Sequence, residues 1–256
     1  MAKPLLILVP LALILGACTT PTANSGLLST YEGLTPRPGT ARVSLSERKD
    51  EAGLKGLARV ALAPTRIAPG PETAWLTPAE ALALGREIDG QICFEMTERY
   101  DLAPADQADA TVNAVVSRVG PTGRVGSLAA AAGSYFIPGP IGLRPPGTLG
   151  ALGAEAELLD RDGRQIAAIT WTRDATAVGT DSPSLSRIGD ALQFAEPLAD
   201  DVAKVMTGKE TRSRKIPDPD PCAAYGARLR VEGIAASIAT GLYVPQLSGA
   251  QAAPVP

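Results

Sequence analysis

Apolar and polar positions follow two distinct periods along this chain. Leu57 to Pro64 is a short apolar stretch closed by a proline and predicts a first buried strand. Thr77-Pro78-Ala79-Glu80 has the signature of a helix start, with Thr at the N-cap, Pro in the first position and Glu in the third. Apolar residues then recur at Leu82, Leu84, Ile88, Ile92, Cys93 and Met96, close to a helical period, which predicts a helix ending near Tyr100. Asp109 to Val119 is rich in β-branched residues and predicts a second strand. Gly153–Leu159 and Gln165–Thr172 flank Asp160-Arg161-Asp162-Gly163, a turn sequence that predicts a hairpin. Ala154 to Leu158 alternates small or apolar residues with Glu155 and Glu157, so one face of that strand is expected to be wet. Ser184 to Met206 predicts a second long helix, with Pro197 as a kink site.

The order strand, helix, strand, insertion, hairpin, helix predicts an α+β (mixed α/β) domain over 40–207, a small mixed sheet with two long helices packed on it. The insertion, Val125 to Leu143, has no charged residue. Two readings stand side by side: an Ala-rich helix with a Pro-rich connector packed on the domain, or an apolar loop in which Tyr135, Phe136 and Ile137 contact a partner. Beyond Thr207, residues 208–221 read as a stiff Pro/Asp-rich linker, and 222–245 as an extension that is either one amphipathic helix or a hairpin. Residues 246–256 read as a disordered tail.

The amino terminus adds a location. Met1-Ala2-Lys3 precedes an uncharged apolar run, Pro4 to Ile14. That run is shorter than the about 20 residues a membrane-spanning helix needs, and it reads as a secretory signal peptide over 1–17. It closes with Leu15-Gly16-Ala17-Cys18, which resembles the lipobox of bacterial lipoproteins. The resemblance implies cleavage before Cys18, lipid on its thiol, and a flexible tether over 18–39. Thr19, not Asp, follows the cysteine, and by the same resemblance the expected location is the outer membrane, facing the periplasm.

Composition narrows the chemistry. The chain of 256 residues contains no histidine, which removes Ser-His-Asp and Cys-His catalysis and histidine metal sites. No catalytic residue, metal site or cofactor is expected. Asp160 and Asp162 are the obvious carboxylates, but they sit in a turn that they serve structurally. With 24 basic against 27 acidic residues, no nucleic-acid partner is expected. Once Cys18 is lipidated, Cys93 and Cys222 remain, and in an oxidising compartment they are expected to pair; the alternative is two unrelated buried thiols.

The segment Ser25-Gly26-Leu27-Leu28-Ser29-Thr30-Tyr31-Glu32-Gly33-Leu34 resembles the SGFLsdY-like opening of a bacterial envelope lipoprotein family of unknown function. Asp160-Arg161-Asp162-Gly163 and Gly189-Asp190-Ala191 fit its later elements; Leu27 stands where the family has an aromatic residue, and the Cys222 extension falls outside the pattern. The resemblance implies an envelope lipoprotein and no activity. The resulting expectation is a non-catalytic, membrane-anchored protein that binds an envelope protein partner. A binder of a small apolar ligand, lipid or glycan is the alternative, and a histidine-independent hydrolase is a further one.

Overall fold

The structure is a computed structural model; it describes residues 24–38, 42–134, 142–145 and 147–250. In chain order the elements are β1 (Thr35–Pro36), β2 (Val43–Lys49), α1 (Glu51–Leu54), β3 (Arg59–Leu62), β4 (Arg66–Ile67), α2 (Pro78–Thr97), β5 (Asp101–Leu102), β6 (Ala110–Gly120) and α3 (Arg124–Ser134). They continue as β7 (Gly142–Leu143), β8 (Ala151–Asp160), β9 (Gln165–Asp174), β10 (Val178–Gly179), α4 (Gly189–Gln193), α5 (Ala195–Met206), a 3-10 turn at Ala223–Tyr225, α6 (Val231–Thr240) and α7 (Pro245–Ser248). One mixed, open sheet of eight strands runs β1-β2-β9-β8-β6-β3-β5, with β4 also pairing β6. The long strands β2, β9, β8 and β6 are antiparallel, while β3 and β4 join β6 in parallel. This is the expected mixed α/β class.

The helices cover one face of the sheet. α2 offers Leu84, Ile88, Ile92 and Met96, and α5 offers Leu198, Val202 and Val205, to a core shared with Ala154, Ala156 and Leu158 of β8 and Ile169 and Trp171 of β9. Small side chains dominate the strand side, so the helices approach closely, and a chain poor in aromatics fills its core with Ala, Val, Leu and Ile. The start of α2 is the predicted capping box: Glu80 N–H donates to Thr77 Oγ1 at 3.2 Å and Thr77 N–H donates to Glu80 Oε2 at 2.9 Å. The β8–β9 hairpin turns at Asp160–Gly163, where Gly163 has φ +76° and Asp160 accepts from the amides of Asp162 and Arg164.

Five readings change. The strand β2 lies outside the predicted elements; besides Ser44, Ser46, Glu47, Arg48 and Lys49 it has only buried Leu45 and half-buried Val43 against the core, too few apolar positions to read as a strand. The predicted helix from Ser184 is two helices that break at Phe194, and Pro197 sits in the first turn of α5, where its missing N–H has no intrahelical partner to lose. The expected wet face of β8 is covered: Glu155 is 2% exposed and Glu157 6%. The extension is neither a single helix nor a hairpin but a 3-10 turn, α6 and α7, and the segment expected to be disordered is ordered through Ala250, whose N–H donates to Glu87.

The insertion and the linker are also anchored. α3 forms the Ala-rich helix of the packed reading, with Ser127, Ala130 and Ala131 buried. Residues 208–221 are tied down at their start and middle, with Lys209 N–H donating to Glu51, Arg214 N–H to the Glu98 carbonyl and Arg214 pairing with Asp101.

Candidate functional site

Three clusters of polar side chains organise the surface features. The first covers the outer face of the sheet. Ser25 donates to Glu155 through its N–H at 2.7 Å and its Oγ at 2.6 Å, and the Tyr31 hydroxyl donates to the same carboxylate at 2.6 Å. Ser29 treats Glu157 likewise, through N–H at 2.9 Å and Oγ at 2.7 Å, joined by Gln165 Nε2 at 2.8 Å. Tyr31 Oη in turn accepts from Leu27 N–H at 2.9 Å, which closes the segment on itself. Two carboxylates buried in the sheet are thus satisfied by hydroxyls and amides of residues 25–31, the chain expected to be a free tether.

The second cluster pins the insertion to α4. Asp190 is fully buried and bridges to Arg144, itself 4% exposed; the same carboxylate accepts from Gly150 N–H at 2.7 Å and Thr122 Oγ1 at 3.0 Å. Gly150 has to be glycine, because a Cβ there would come within 2.8 Å of the Asp190 and Thr122 side chains.

The third cluster builds a cleft under the C-terminal extension. Cys222 is disulfide-bonded to Cys93 of α2. Arg228 then holds the returning chain: it pairs with Asp220 at 2.6 Å, donates to the Phe94 carbonyl and to Thr97 Oγ1, each at 2.8 Å, and lies over the Phe94 ring at 4.9 Å. The guanidinium beside Asp220 holds that carboxyl below its usual range. Arg230 pairs with the buried Glu87 at 2.8 Å, and Tyr243 N–H donates to the Pro183 carbonyl at 2.9 Å. Burial pushes the Tyr243 phenol up.

Between this strap, α2 and α5 lies a cleft of about 500 Å³. Phe94, Leu192, Leu229 and Ile234 supply its apolar lining; Glu95, Glu98 and Glu196 supply an acidic one. Burial, and then the neighbouring carboxylates Glu98, Asp200 and Glu196, push Glu95 up. Above the cleft, α6 turns Val231, Ile234 and Ile238 outward, the last 80% exposed, and Leu229 just before it and Leu247 of α7 are exposed too. Among residues 231–240 Glu232 is the single charge.

Of the residues singled out in the sequence, Cys93 and Cys222 are brought together, while Cys18 and the Tyr135-Phe136-Ile137 segment lie outside the described residues. No group of three or more Cys, Asp or Glu side chains suited to a metal ion occurs among the described residues. The cleft has no local sequence signal, since it joins residues 87–98 to 180–248.

Residues 23–202 match the family described as protein of unknown function (DUF3313). The chain belongs to this family. The DUF3313 match contains the Ser25–Tyr31 segment, Glu155, Glu157, Arg144 and Asp190, and it stops short of Cys222 and α6. No curated protein matches the chain. Among solved structures, the PelC dodecamer from Paraburkholderia phytofirmans is similar at 13% identity and a TM-score of 0.39, over 66% of this chain and 99% of that one. A DUF4136 family protein from Bacteroides thetaiotaomicron is similar at 11% identity and a TM-score of 0.37, with the same coverage. Neither likeness carries a function to this DUF3313 member.

Proposed function

We propose that this chain is a non-catalytic lipoprotein, anchored to the outer membrane through Cys18 and facing the periplasm, which binds an envelope protein partner through its C-terminal extension. The observation that carries the reading is α6. A mostly apolar helix is expected to bury its large apolar side chains, yet α6 buries only Gly233 and exposes Val231, Ile234 and Ile238. Its mount is rigid, since the Cys93–Cys222 bond and the Arg228 contacts fix it to α2. A protein surface suits α6 better than a lipid surface. Residues 231–240 contain no Lys or Arg to attract anionic headgroups.

The anchor fits the same picture. Cys18 precedes Ser25 by seven residues, a reach of at most about 25 Å. The bonds of Ser25 and Ser29 to the sheet therefore keep the domain close to its membrane. The test has two arms. An alkyne-palmitate label should enter the wild-type protein and be lost in Cys18→Ala. Affinity capture of the lipidated protein should recover a stoichiometric protein that Ile234→Ser/Ile238→Ser loses; equal recovery by wild type and variant contradicts the reading.

A further inference from the structure

We propose that the cleft beneath α6 receives a short basic–aliphatic segment of the partner protein, with a Lys or Arg side chain between Glu95 and Glu196 and an aliphatic side chain against Ile234. This inference rests on the protein-binding reading above and names the chemistry of the partner.

Charge complementarity carries it. The two arginines of the lining are already committed, Arg228 to Asp220 and Arg230 to Glu87. Glu98 has Arg99 at 3.8 Å, and Asp200 has Lys204 at 2.6 Å. Glu95 and Glu196 both line the cleft and have no ion pair among the described residues, and burial with the neighbouring carboxylates pushes Glu95 up. A cation placed beside Glu95 offsets the repulsion from those carboxylates. On the opposite wall, exposed Leu229 and Ile234 offer an aliphatic surface beside the buried Phe94 ring. The volume of about 500 Å³ suits a few side chains of an extended segment.

The residues of the sequence that lie outside the described ones offer no basic–aliphatic segment. They contain Lys3 as their single basic residue, and the proposed cleavage removes it. The last residues, Gln251 to Pro256, have no charge at all.

The test uses the full chain and two fluorescein-labelled peptides, Leu-Arg-Leu-Arg-Leu and Leu-Glu-Leu-Glu-Leu, followed by fluorescence anisotropy. The arginine peptide should bind and the glutamate peptide should not. Binding should weaken with salt, and by about tenfold in Glu95→Gln/Glu196→Gln, the loss expected for one charge-assisted contact. A melting curve verifies that the variant is folded. Equal affinity of wild type and variant, or no binding of the arginine peptide to folded wild type, overturns the proposal. A wild-type dimer in sedimentation that dissociates on Ile238→Ser also overturns it, because a second copy would then cover this face. A protein crosslinked at Ile238 without any peptide binding sinks only the basic–aliphatic partner, whereas the absence of both sinks protein binding as well.

Discussion

The Oγ of Ser25 donates to Oε2 of Glu155 at 2.6 Å, across 130 positions of the chain. It joins the segment nearest the proposed anchor to the middle of the sheet. Because Glu155 and Glu157 are buried with no ion pair among the described residues, hydroxyls and amides have to solvate them, and Ser25, Ser29 and Tyr31 do so. Residues 25–31 and the sheet thus form one mechanical unit.

Tyr31→Phe removes a donor to Glu155 and the acceptor of Leu27 N–H. It should destabilise the segment by about 1–3 kcal/mol, the range for a buried partner left unsatisfied. Limited proteolysis should then cut near residue 30 while the sheet stays protected. Unchanged protection of the segment would show that it is held by something other than these bonds.

The Cys93–Cys222 bond closes a loop spanning 129 positions. In the chain-entropy model that closure is worth about 5 kcal/mol, and removing a native disulfide typically costs about 2–5 kcal/mol. Cys93→Ser/Cys222→Ser should lose stability in that range in urea unfolding, and trypsin should cut at Arg228 in the folded protein. A variant as stable as wild type would contradict the role assigned to the bond.

Asp190→Ala leaves the Arg144 guanidinium buried without its counter-charge. The expected loss is about 3–5 kcal/mol. Arg144→Met combined with Asp190→Leu should cost less than the sum of the single changes, because each single change strands a charge that the double change removes. Additive costs would show that the two residues act independently.

Glu95 gives a prediction in pH. Its folded-state pKa is raised above the ordinary value of 4.5, so the protonated form is favoured by folding; the gain is complete below that value and lost as pH rises through the raised one. At pH 7 the ionised carboxylate opposes folding. Glu95→Gln should therefore raise the melting temperature at neutral pH, and the advantage should shrink as pH falls towards the ordinary value. A destabilised variant at neutral pH would mean that Glu95 has a cationic partner.

Local patterns made much of the fold legible. The Thr77–Glu80 capping box, the Asp160–Gly163 turn and the β-branched run before Gly120 each express their element within a few residues. β2 escaped because an outer strand with one buried apolar residue, Leu45, has no periodic signal. The Ser184–Met206 helix was read as continuous because its apolar spacing survives the break at Phe194. The alternation at Glu155 and Glu157 correctly marked two faces, but the segment that covers the second lies far away in sequence. The cysteine count made the disulfide readable, whereas the cleft it helps to form depends on contacts between α2, α5 and residues beyond 220 that no local spacing encodes.

The protein-binding role of α6 is tested most directly by a photoactivatable amino acid at Ile238 in the lipidated protein in living cells, with Arg66, an exposed residue of β4, as control. The expected result is one discrete protein adduct from position 238 and none from position 66. No adduct, lipid adducts alone, or the same adducts from both positions would contradict it.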